Sequence, residues 1–220
     1  MQYSFVGWGI SILKLLDVIE RVTRKIAPGP TPSFNEAHVI KTLELIDNHR
    51  ILGRIKLSKE LQLGEGTTRT LLKHLKKEEI IQSSRKGVSL STYGEKLVSD
   101  LRNRLGEGVE IPPSPLTVGS FNVAILVRDS AQSVGSGMEQ RDAAIKSGAS
   151  GATTLIFSDN KLSLPTGEEN LSKSMPLLHD ELVNKLNPNE NCVIIVGSGE
   201  SKEVAEIGAK MAAIKLLKRN

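Results

Sequence analysis

The segment Leu57–Ile81 constrains the fold of this chain more than any other. Two short stretches with helical apolar spacing lie on either side of Gly64-Glu65-Gly66, where the glycines predict a sharp turn. We expect the first helix to cover residues 57–63 with Ser58 as its N-cap, and the second to cover Thr67–Glu79. Two short helices joined by a tight turn predict a helix-turn-helix unit.

The flanking segments extend this unit to a winged helix-turn-helix. A helical apolar pattern covers Asn35–Asn48 before it. After it, two short extended runs on either side of Arg85-Lys86-Gly87 predict a β-hairpin, and helical spacing returns over residues 93–105. We therefore predict a winged helix-turn-helix domain over residues 30–105.

The basic side chains are concentrated in this region. Residues 1–110 hold 18 Lys and Arg against 13 Asp and Glu, a net charge of +5, whereas residues 111–220 hold 11 against 12, a net charge of −1. Residues 50–90 alone hold 10 basic and 4 acidic side chains, a net charge of +6. This asymmetry predicts a polyanionic partner for the first half, and double-stranded DNA is the usual one for such a domain.

The second helix of the unit separates its charge from its apolar side. Leu71, Leu72 and Leu75 form the apolar stripe, while Arg69, Lys73 and Lys76 recur on another face at helical spacing. Residues near the start of such a helix meet base edges, and later lysines and the wing tip meet phosphates. The predicted DNA-binding residues are Thr67, Thr68, Arg69, Thr70, Lys73, Lys76, Lys77, Arg85 and Lys86. Two alternatives are a merely solvated basic face and a winged helix that binds protein.

Several segments resemble a known group of proteins. "APGPTPSFNEAHVIKTLELI", "GRIKLSKELQLGEGTTRTLLKHLKKEEII" and "GVSLSTYGEKL" resemble archaeal winged-helix regulators with an uncharacterised C-terminal domain. "LSKELQLGEGTTRTLLKHLK" is also similar to the DNA-binding segment of the central glycolytic gene regulator family, and "RDAAIKSGASGATTLIF" resembles the C-terminal domain of the archaeal group. The resemblance implies a DNA-binding transcriptional regulator.

Residues 1–29 are predicted to form an amphipathic helix followed by a proline-rich connector. The apolar segment Phe5–Val22 is interrupted by charges and lacks a preceding cationic region, so it is a poor signal peptide and a poor membrane span. The helix, placed at residues 8–27, packs either on its own domain or on a partner subunit, and we take it as the contact of a homodimer. Cys192 is the only cysteine, which fits a reducing, cytoplasmic location.

The second half predicts a separate domain. Residues 106–117 are rich in Gly, Pro and Ser and form the predicted linker, and strand and helix patterns then alternate over residues 118–220. The overall prediction is a two-domain α+β or α/β chain. Its second domain is an α/β unit of two or three layers that dimerises or binds an effector.

Two features of the second half predict a small anionic effector. Gly197-Ser198-Gly199 lies between a strand and a helix, where free backbone N–H groups bind anions; a bare turn is the alternative. Arg128 and Arg141 flank a Gly/Ser-rich segment at the end of a strand, where ligands bind in open α/β sheets. The alternative there is a structural ion pair and a helix start.

Catalytic and metal-binding patterns are scarce. The four histidines show no metal-ligand spacing, and no nucleophile and base stand in a recognisable order. We therefore expect no enzyme activity, no cofactor and no metal. The function predicted is a dimeric DNA-binding regulator whose second domain senses a ligand and changes the spacing of two DNA-binding heads. A protein-interaction adaptor and a small-molecule enzyme are the rival functions.

Overall fold

The computed structural model describes residues 11–24, 33–167 and 170–219. Its first half contains a run of helices interrupted by one hairpin. The elements are α1 (Ile12–Thr23), α2 (Glu36–His49), α3 (Arg54–Glu60), α4 (Glu65–Lys77), β1 (Ile81–Ser84), β2 (Gly87–Leu90) and α5 (Thr92–Arg102). This is the element order of a winged helix-turn-helix.

The helix-turn-helix unit differs locally from the predicted one. Helix α3 begins three residues earlier than expected, at Arg54 after Gly53, so Ser58 lies inside the helix and its hydroxyl donates to the carbonyl of Leu63 at 2.6 Å. Helix α4 begins at Glu65 after Gly64. The turn is therefore formed by the residues just before Gly64, and the glycines expected to break the chain open α4 instead.

The second half is a sheet covered by helices on both faces. Its elements are β3 (Val109–Ile111), β4 (Phe121–Val127), a short 3₁₀ helix (Ala131–Ser133), α6 (Met138–Lys146), β5 (Gly151–Ser158), β6 (Lys161–Ser163), α7 (Leu171–Ser174), α8 (Pro176–Leu186), β7 (Cys192–Gly199) and α9 (Lys202–Leu217). The strand order is β3-β4-β7-β5-β6. Helices α6 and α9 cover one face and α7 and α8 the other, which gives three layers.

The two-domain α+β class is thus confirmed, with two differences in the second domain. Every pair of neighbouring strands in the five-stranded sheet is antiparallel, so its strand ends do not form the ligand-binding edge of a parallel sheet. The predicted linker 106–117 also contains β3, which pairs with β4. A strand of three residues between glycines and prolines is too short for its side chains to show the alternation of apolar and polar residues that predicts a strand.

The first helix belongs to the chain's own core. The apolar side of α1 is buried against α2, α4 and α5, with Leu15, Ile19 and Val22 fully buried. This overturns the prediction that the apolar stripe of this helix is the dimer contact. The described part of the predicted helix 8–27 is Ile12–Thr23; residues 1–10 and most of the proline-rich connector, residues 25–32, lie outside the described residues.

Helix α9 joins the two halves through a buried ion-pair network. Lys210 on α9 is fully buried, and its ammonium lies 2.8 Å from Glu44 on α2 and 3.2 Å from Glu206. Lys41 on α2 completes the network at 3.0 Å from Glu206. Burial alone would lower the pKa of Lys210, but the two carboxylates outweigh it and raise that pKa. Burial raises the pKa of Glu44, whereas at Glu206 burial is outweighed by the two lysines, which lower the pKa. In their ionised forms the two lysines and two glutamates balance in charge.

We predict that Lys210→Met strongly destabilises the fold. The substitution removes the ammonium that pairs with Glu44 and leaves Glu206 with Lys41 alone, and removing one member of a buried ion pair costs about 3–5 kcal/mol. The matched control is Lys218→Met, which removes partly exposed ion pairs with Glu20 and Glu36 and should cost about 0–1 kcal/mol. Denaturant unfolding measures both; equal effects of the two variants would contradict a structural role for the network.

Helix α2 begins with a capping box that contains a histidine. The Asn35 side chain accepts from the backbone N–H of His38, and Nδ1 of His38 accepts from the backbone N–H of Asn35 at 3.2 Å. Burial and, to a lesser extent, the charge of Lys41 lower the pKa of His38 from 6.5 to about 4. The same Nδ1 also lies 2.7 Å from Oδ1 of Asn35, and burial is the main reason that the folded chain keeps the ring neutral.

We predict that stability falls as the pH is lowered from 6.5 towards 4. In this window the unfolded chain protonates His38 whereas the folded chain does not, and the full difference is worth about 3 kcal/mol. His38→Gln keeps a capping side chain without a titratable group and should flatten this part of the profile. His49→Gln, at the exposed end of the same helix, is the control. Chemical denaturation at several pH values measures the profile, and equal slopes for parent and His38→Gln would contradict the prediction.

Candidate nucleic-acid interface

The outward face of α4 is cationic. Arg69, Lys73, Lys76 and Lys77 are exposed, and Thr70 is exposed beside them. Helical geometry places Arg69, Lys73 and Lys76 within about 60° of one another around the axis, so their side chains leave the helix on one side. The charges predicted from spacing therefore share one solvent-facing surface.

The opposite face of α4 fixes the helix in the domain. Leu71 and Leu75 are fully buried. His74 is buried beside them; its Nδ1 lies 2.7 Å from the carbonyl of Val22 on α1, and its ring meets Phe34 edge-on at a centroid distance of 5.7 Å. Helix α1 therefore contributes to the orientation of α4, a link that the spacing of the sequence does not show.

Thr68 does not belong to the cationic face. Its side chain is fully buried, and its hydroxyl donates to the carbonyl of Gly64 at 3.1 Å. The prediction that Thr68 contacts a base is therefore wrong for this conformation. Thr67, one residue earlier, is half-buried and stays at the edge of the face.

The wing is a β-hairpin of two four-residue strands, and its tip is cationic. Ser84 pairs with Gly87, so Arg85 and Lys86 form the turn, and both are exposed. An isolated bridge between Leu52 and Val88 ties the hairpin to the segment before α3. An added Cβ at Gly87 would lie 2.6 Å from the Leu52 carbonyl oxygen, and its φ of +143° favours glycine.

Sequence reasoning missed two further cations on the first helix of the unit. Lys56 and Lys59 on α3 are exposed. The first helix of a helix-turn-helix crosses the DNA backbone, where such lysines contact phosphates. Both lysines contribute to the net charge of residues 50–90. The predicted helix 57–63 contains Lys59 but begins after Lys56. Arg54, at the start of α3, lies 3.9 Å from Glu65.

The predicted anion loop is part of a strand. Gly197, Ser198 and Gly199 are buried in β7, where their backbone pairs with β4 and β5. The hydroxyl of Ser198 donates to Asn122 at 2.7 Å. Ser201 caps α9 by accepting from the backbone N–H of Val204 at 3.3 Å. The prediction that these glycines bind a ligand is therefore wrong.

The two arginines expected to clamp an anion occupy different environments. Arg128 is half-buried, and its guanidinium donates to the carbonyl of Arg102 at 3.0 Å, which ties the end of β4 to the end of α5. Arg141 is exposed on α6. Arg128 thus has a structural contact between the two halves, which contradicts its predicted role in a clamp.

Cys192 is buried in the core. Within the described part of the chain, no cluster of three or more His, Cys, Asp and Glu side chains could hold a metal ion. None of the helices in residues 11–24, 33–167 and 170–219 has the length and apolar character that crossing a membrane requires.

Comparisons with known proteins agree with this architecture. Residues 38–96 match a family model described as the PH0730-like N-terminal domain. Residues 118–216 match a domain of unknown function, DUF4443. The structure is similar to that of the hypothetical protein PH0730 from Pyrococcus horikoshii OT3, with a TM-score of 0.66 and 24% identity over 86% of this chain and 100% of that one. No curated protein matches.

These similarities establish the fold and its likeness to an archaeal protein. The two matched regions fall inside the predicted domains 30–105 and 118–220 and leave the segment between residues 96 and 118 unmatched. At this identity the solved structure supports the arrangement of elements only.

We predict that Gly197→Ala destabilises the chain because Gly197 is a packing position. A Cβ there would lie 2.2 Å from the carbonyl oxygen of Ala205 and 2.6 Å from the backbone nitrogen of Ala209, so α9 would have to move off the sheet. Overpacking of this kind costs about 1–3 kcal/mol or more. The control is Gly66→Ala in the first turn of α4, where nothing lies within 4 Å and the substitution should be neutral or stabilising. Thermal unfolding distinguishes them, and an unaffected Gly197→Ala would contradict the packing role.

Proposed function

We propose that this chain binds double-stranded DNA through its winged helix and acts as a transcriptional regulator. The observation that carries the proposal is the set of exposed cations on α4 and at the wing tip. Among the described residues, no carboxylate lies within 4.0 Å of Arg69, Lys73, Lys76 or Lys77, nor of the wing-tip pair Arg85-Lys86.

Basic residues elsewhere in the chain are often neutralised. Lys185 pairs with Glu181, Lys218 with Glu20, and Arg219 with Glu139. Lys202 pairs in the same way with Glu110. A face that is merely solvated usually mixes both signs, whereas a surface for a polyanion leaves its cations free. Unpaired cations also occur among the described residues of the second domain, but the cluster of four on α4 with the pair at the wing tip favours a polyanionic partner there over the solvated-face alternative.

The docking geometry follows from the dimensions of the helix and the groove. An α-helix fits the major groove of B-DNA, with the residues near its N-terminus at the base edges. Thr67, Arg69 and Thr70 occupy that end of α4, and Arg69 can pair with guanine in bidentate fashion. Lys73, Lys76 and Lys77, further along the helix, are suited to phosphates, as are the wing-tip residues.

The proposal assigns the second domain to assembly rather than to binding a ligand at the predicted sites. Regulators of this kind read two half-sites with two copies of the DNA-binding domain, spaced by one helical turn of about 34–36 Å. Because α9 packs on both the sheet and α2, the second domain fixes the direction in which each α4 points. Two copies joined through the second domain would present two heads at a set distance.

We predict that Lys73→Ala/Lys76→Ala lowers the salt dependence of binding to double-stranded DNA. Each phosphate contact contributes about 0.9 to the slope of log K against log salt, so the double variant should lose about 1.8 from the slope. Fluorescence anisotropy with a labelled duplex, titrated at several salt concentrations, measures it. Arg69→Ala should instead reduce discrimination between duplexes that differ at one base pair, by about 1–3 kcal/mol.

The control is Lys161→Ala/Lys173→Ala, which removes the same number of exposed charges from the second domain. This variant should keep the parent's slope. Equal slopes for the parent and for Lys73→Ala/Lys76→Ala would argue against groove docking, and failure of the parent to bind any duplex would favour the protein-interaction adaptor.

A further inference from the structure

Helix α6 carries an exposed apolar stripe on its outward side. Met138 is 61% exposed and Ile145 is 43% exposed. They are seven residues apart, so they lie two turns apart on nearly the same line along the helix. The inward side of α6 buries Gln140 and Ala144 against the rest of the domain. Two large apolar side chains are thus presented to solvent by a helix that is otherwise well anchored.

Opposite charges flank this stripe. At about 100° per residue, Arg141 lies about 50° to one side of the line through Met138 and Ile145, and Asp142 lies about 50° to the other side. Both side chains are exposed, and neither forms an ion pair with any described residue. The face is therefore apolar along its centre, with Arg141 directly on one side and Asp142 directly on the other. Lys146 and Glu139 lie on the Asp142 side too, but further round the helix, at about 90–110° from the line.

We propose that this face of α6 binds the same face of a second copy of the chain, with the two helices parallel about a twofold axis. In that arrangement Met138 packs on Met138 of the second copy, and Ile145 packs on Ile145 of the second copy. The twofold exchanges the two edges of the face, so Arg141 of each copy meets Asp142 of the other. The face is therefore self-complementary, as an isologous interface requires. Two copies of it form one apolar contact and two ion pairs.

The charges select the parallel arrangement over the antiparallel one. An antiparallel twofold keeps each edge on its own side, which brings Arg141 towards Arg141 of the second copy and Asp142 towards Asp142. Charge pairs flanking an apolar seam determine helix orientation in coiled coils for the same reason. The parallel pair is the only one of the two in which both edges are attractive.

The size of the surface sets the expected strength. A stable interface buries about 800 Å² on each partner, and a helix of nine residues offers less. The association of the free protein should therefore be weak. Simultaneous binding of two heads to one duplex would raise the effective concentration of the second copy and strengthen it. The contact itself does not depend on the proposed DNA binding and is tested without DNA.

Disulfide trapping with the full chain tests the arrangement. Met138→Cys should form a disulfide-linked dimer under mild oxidation, because two copies of residue 138 face each other within the Cα distance of about 7 Å that a disulfide allows. Leu177→Cys is the control; residue 177 is 86% exposed on α8, on the opposite face of the sheet. The native Cys192 is buried and should not react.

Charge-reversal variants test the ion pairs proposed at the two edges of the α6 face. Arg141→Asp and Asp142→Arg each place like charges together in their own homodimer and should raise the dimer dissociation constant at least about tenfold in sedimentation equilibrium. A mixture of the two variants restores both opposite-charge pairs and should associate at least as well as the parent. Circular dichroism checks that each variant is folded.

Three results would overturn the proposal. One is a parent protein that stays monomeric at hundreds of micromolar and whose Met138→Cys variant is trapped no faster than Leu177→Cys. Another is trapping only in a mixture of Met138→Cys with Ile145→Cys, which would show the antiparallel pair. The third is a mixture of the charge variants that associates no better than either alone. None of these results affects the salt titration that tests DNA binding.

Discussion

The buried ammonium of Lys210 determines how the two halves of this molecule are joined. A lysine with no exposure must have carboxylates around it, and it finds Glu44 on α2 and Glu206 one turn earlier on its own helix. Because removing a charge from water is expensive, alternative positions of α2 against α9 that separate these groups are strongly disfavoured. The network adds specificity to an interface whose surroundings are apolar, and it fixes the winged helix relative to the sheet.

Glycines in β7 and α9 allow α9 to pack closely on the second domain, on the side of the helix opposite α2. A Cβ at Gly197 would collide with the backbone of α9 on the sheet face, and one at Gly208 would lie 2.4 Å from the Cβ of Ala149. The helix is thus held tightly by the sheet below and by α2 above. The glycines of β7 serve this packing, which explains why a Gly-Ser-Gly stretch before a helix is not an anion loop here. Gln62 in the turn of the helix-turn-helix also donates to Glu203 at 2.8 Å, which adds a contact near the start of α9.

The structure was predicted best from the sequence where one spacing of apolar residues dominates a segment. The stripe through Leu71 and Leu75 gives the orientation of α4, and with it the exposure of the lysines opposite. The structure was predicted poorly where local chemistry competes with tertiary packing. Thr68 shares the polarity of its neighbours but faces the core, and Ser58 has the chemistry of an N-cap but lies inside α3. The antiparallel sheet could not be predicted from alternation, because the order of strands and helices along a chain does not fix strand direction. The contact of Lys210 with α2 joins residues 166 positions apart, and no local pattern reports it.

The shared core also limits how the proposed regulator could be controlled. A hinge between the halves would have to pull Lys210 away from Glu44, leaving uncompensated charges in an apolar interface at a cost of several kcal/mol. A ligand can shift such an equilibrium only by its differential affinity for the two states, and the coupling measured between sites is typically about 1–3 kcal/mol. The spacing of the two proposed DNA-binding heads is therefore easier to set by how two rigid copies associate than by bending within one copy. Control at the level of assembly would act through a surface on the second domain, far along the chain from the helix proposed to bind DNA.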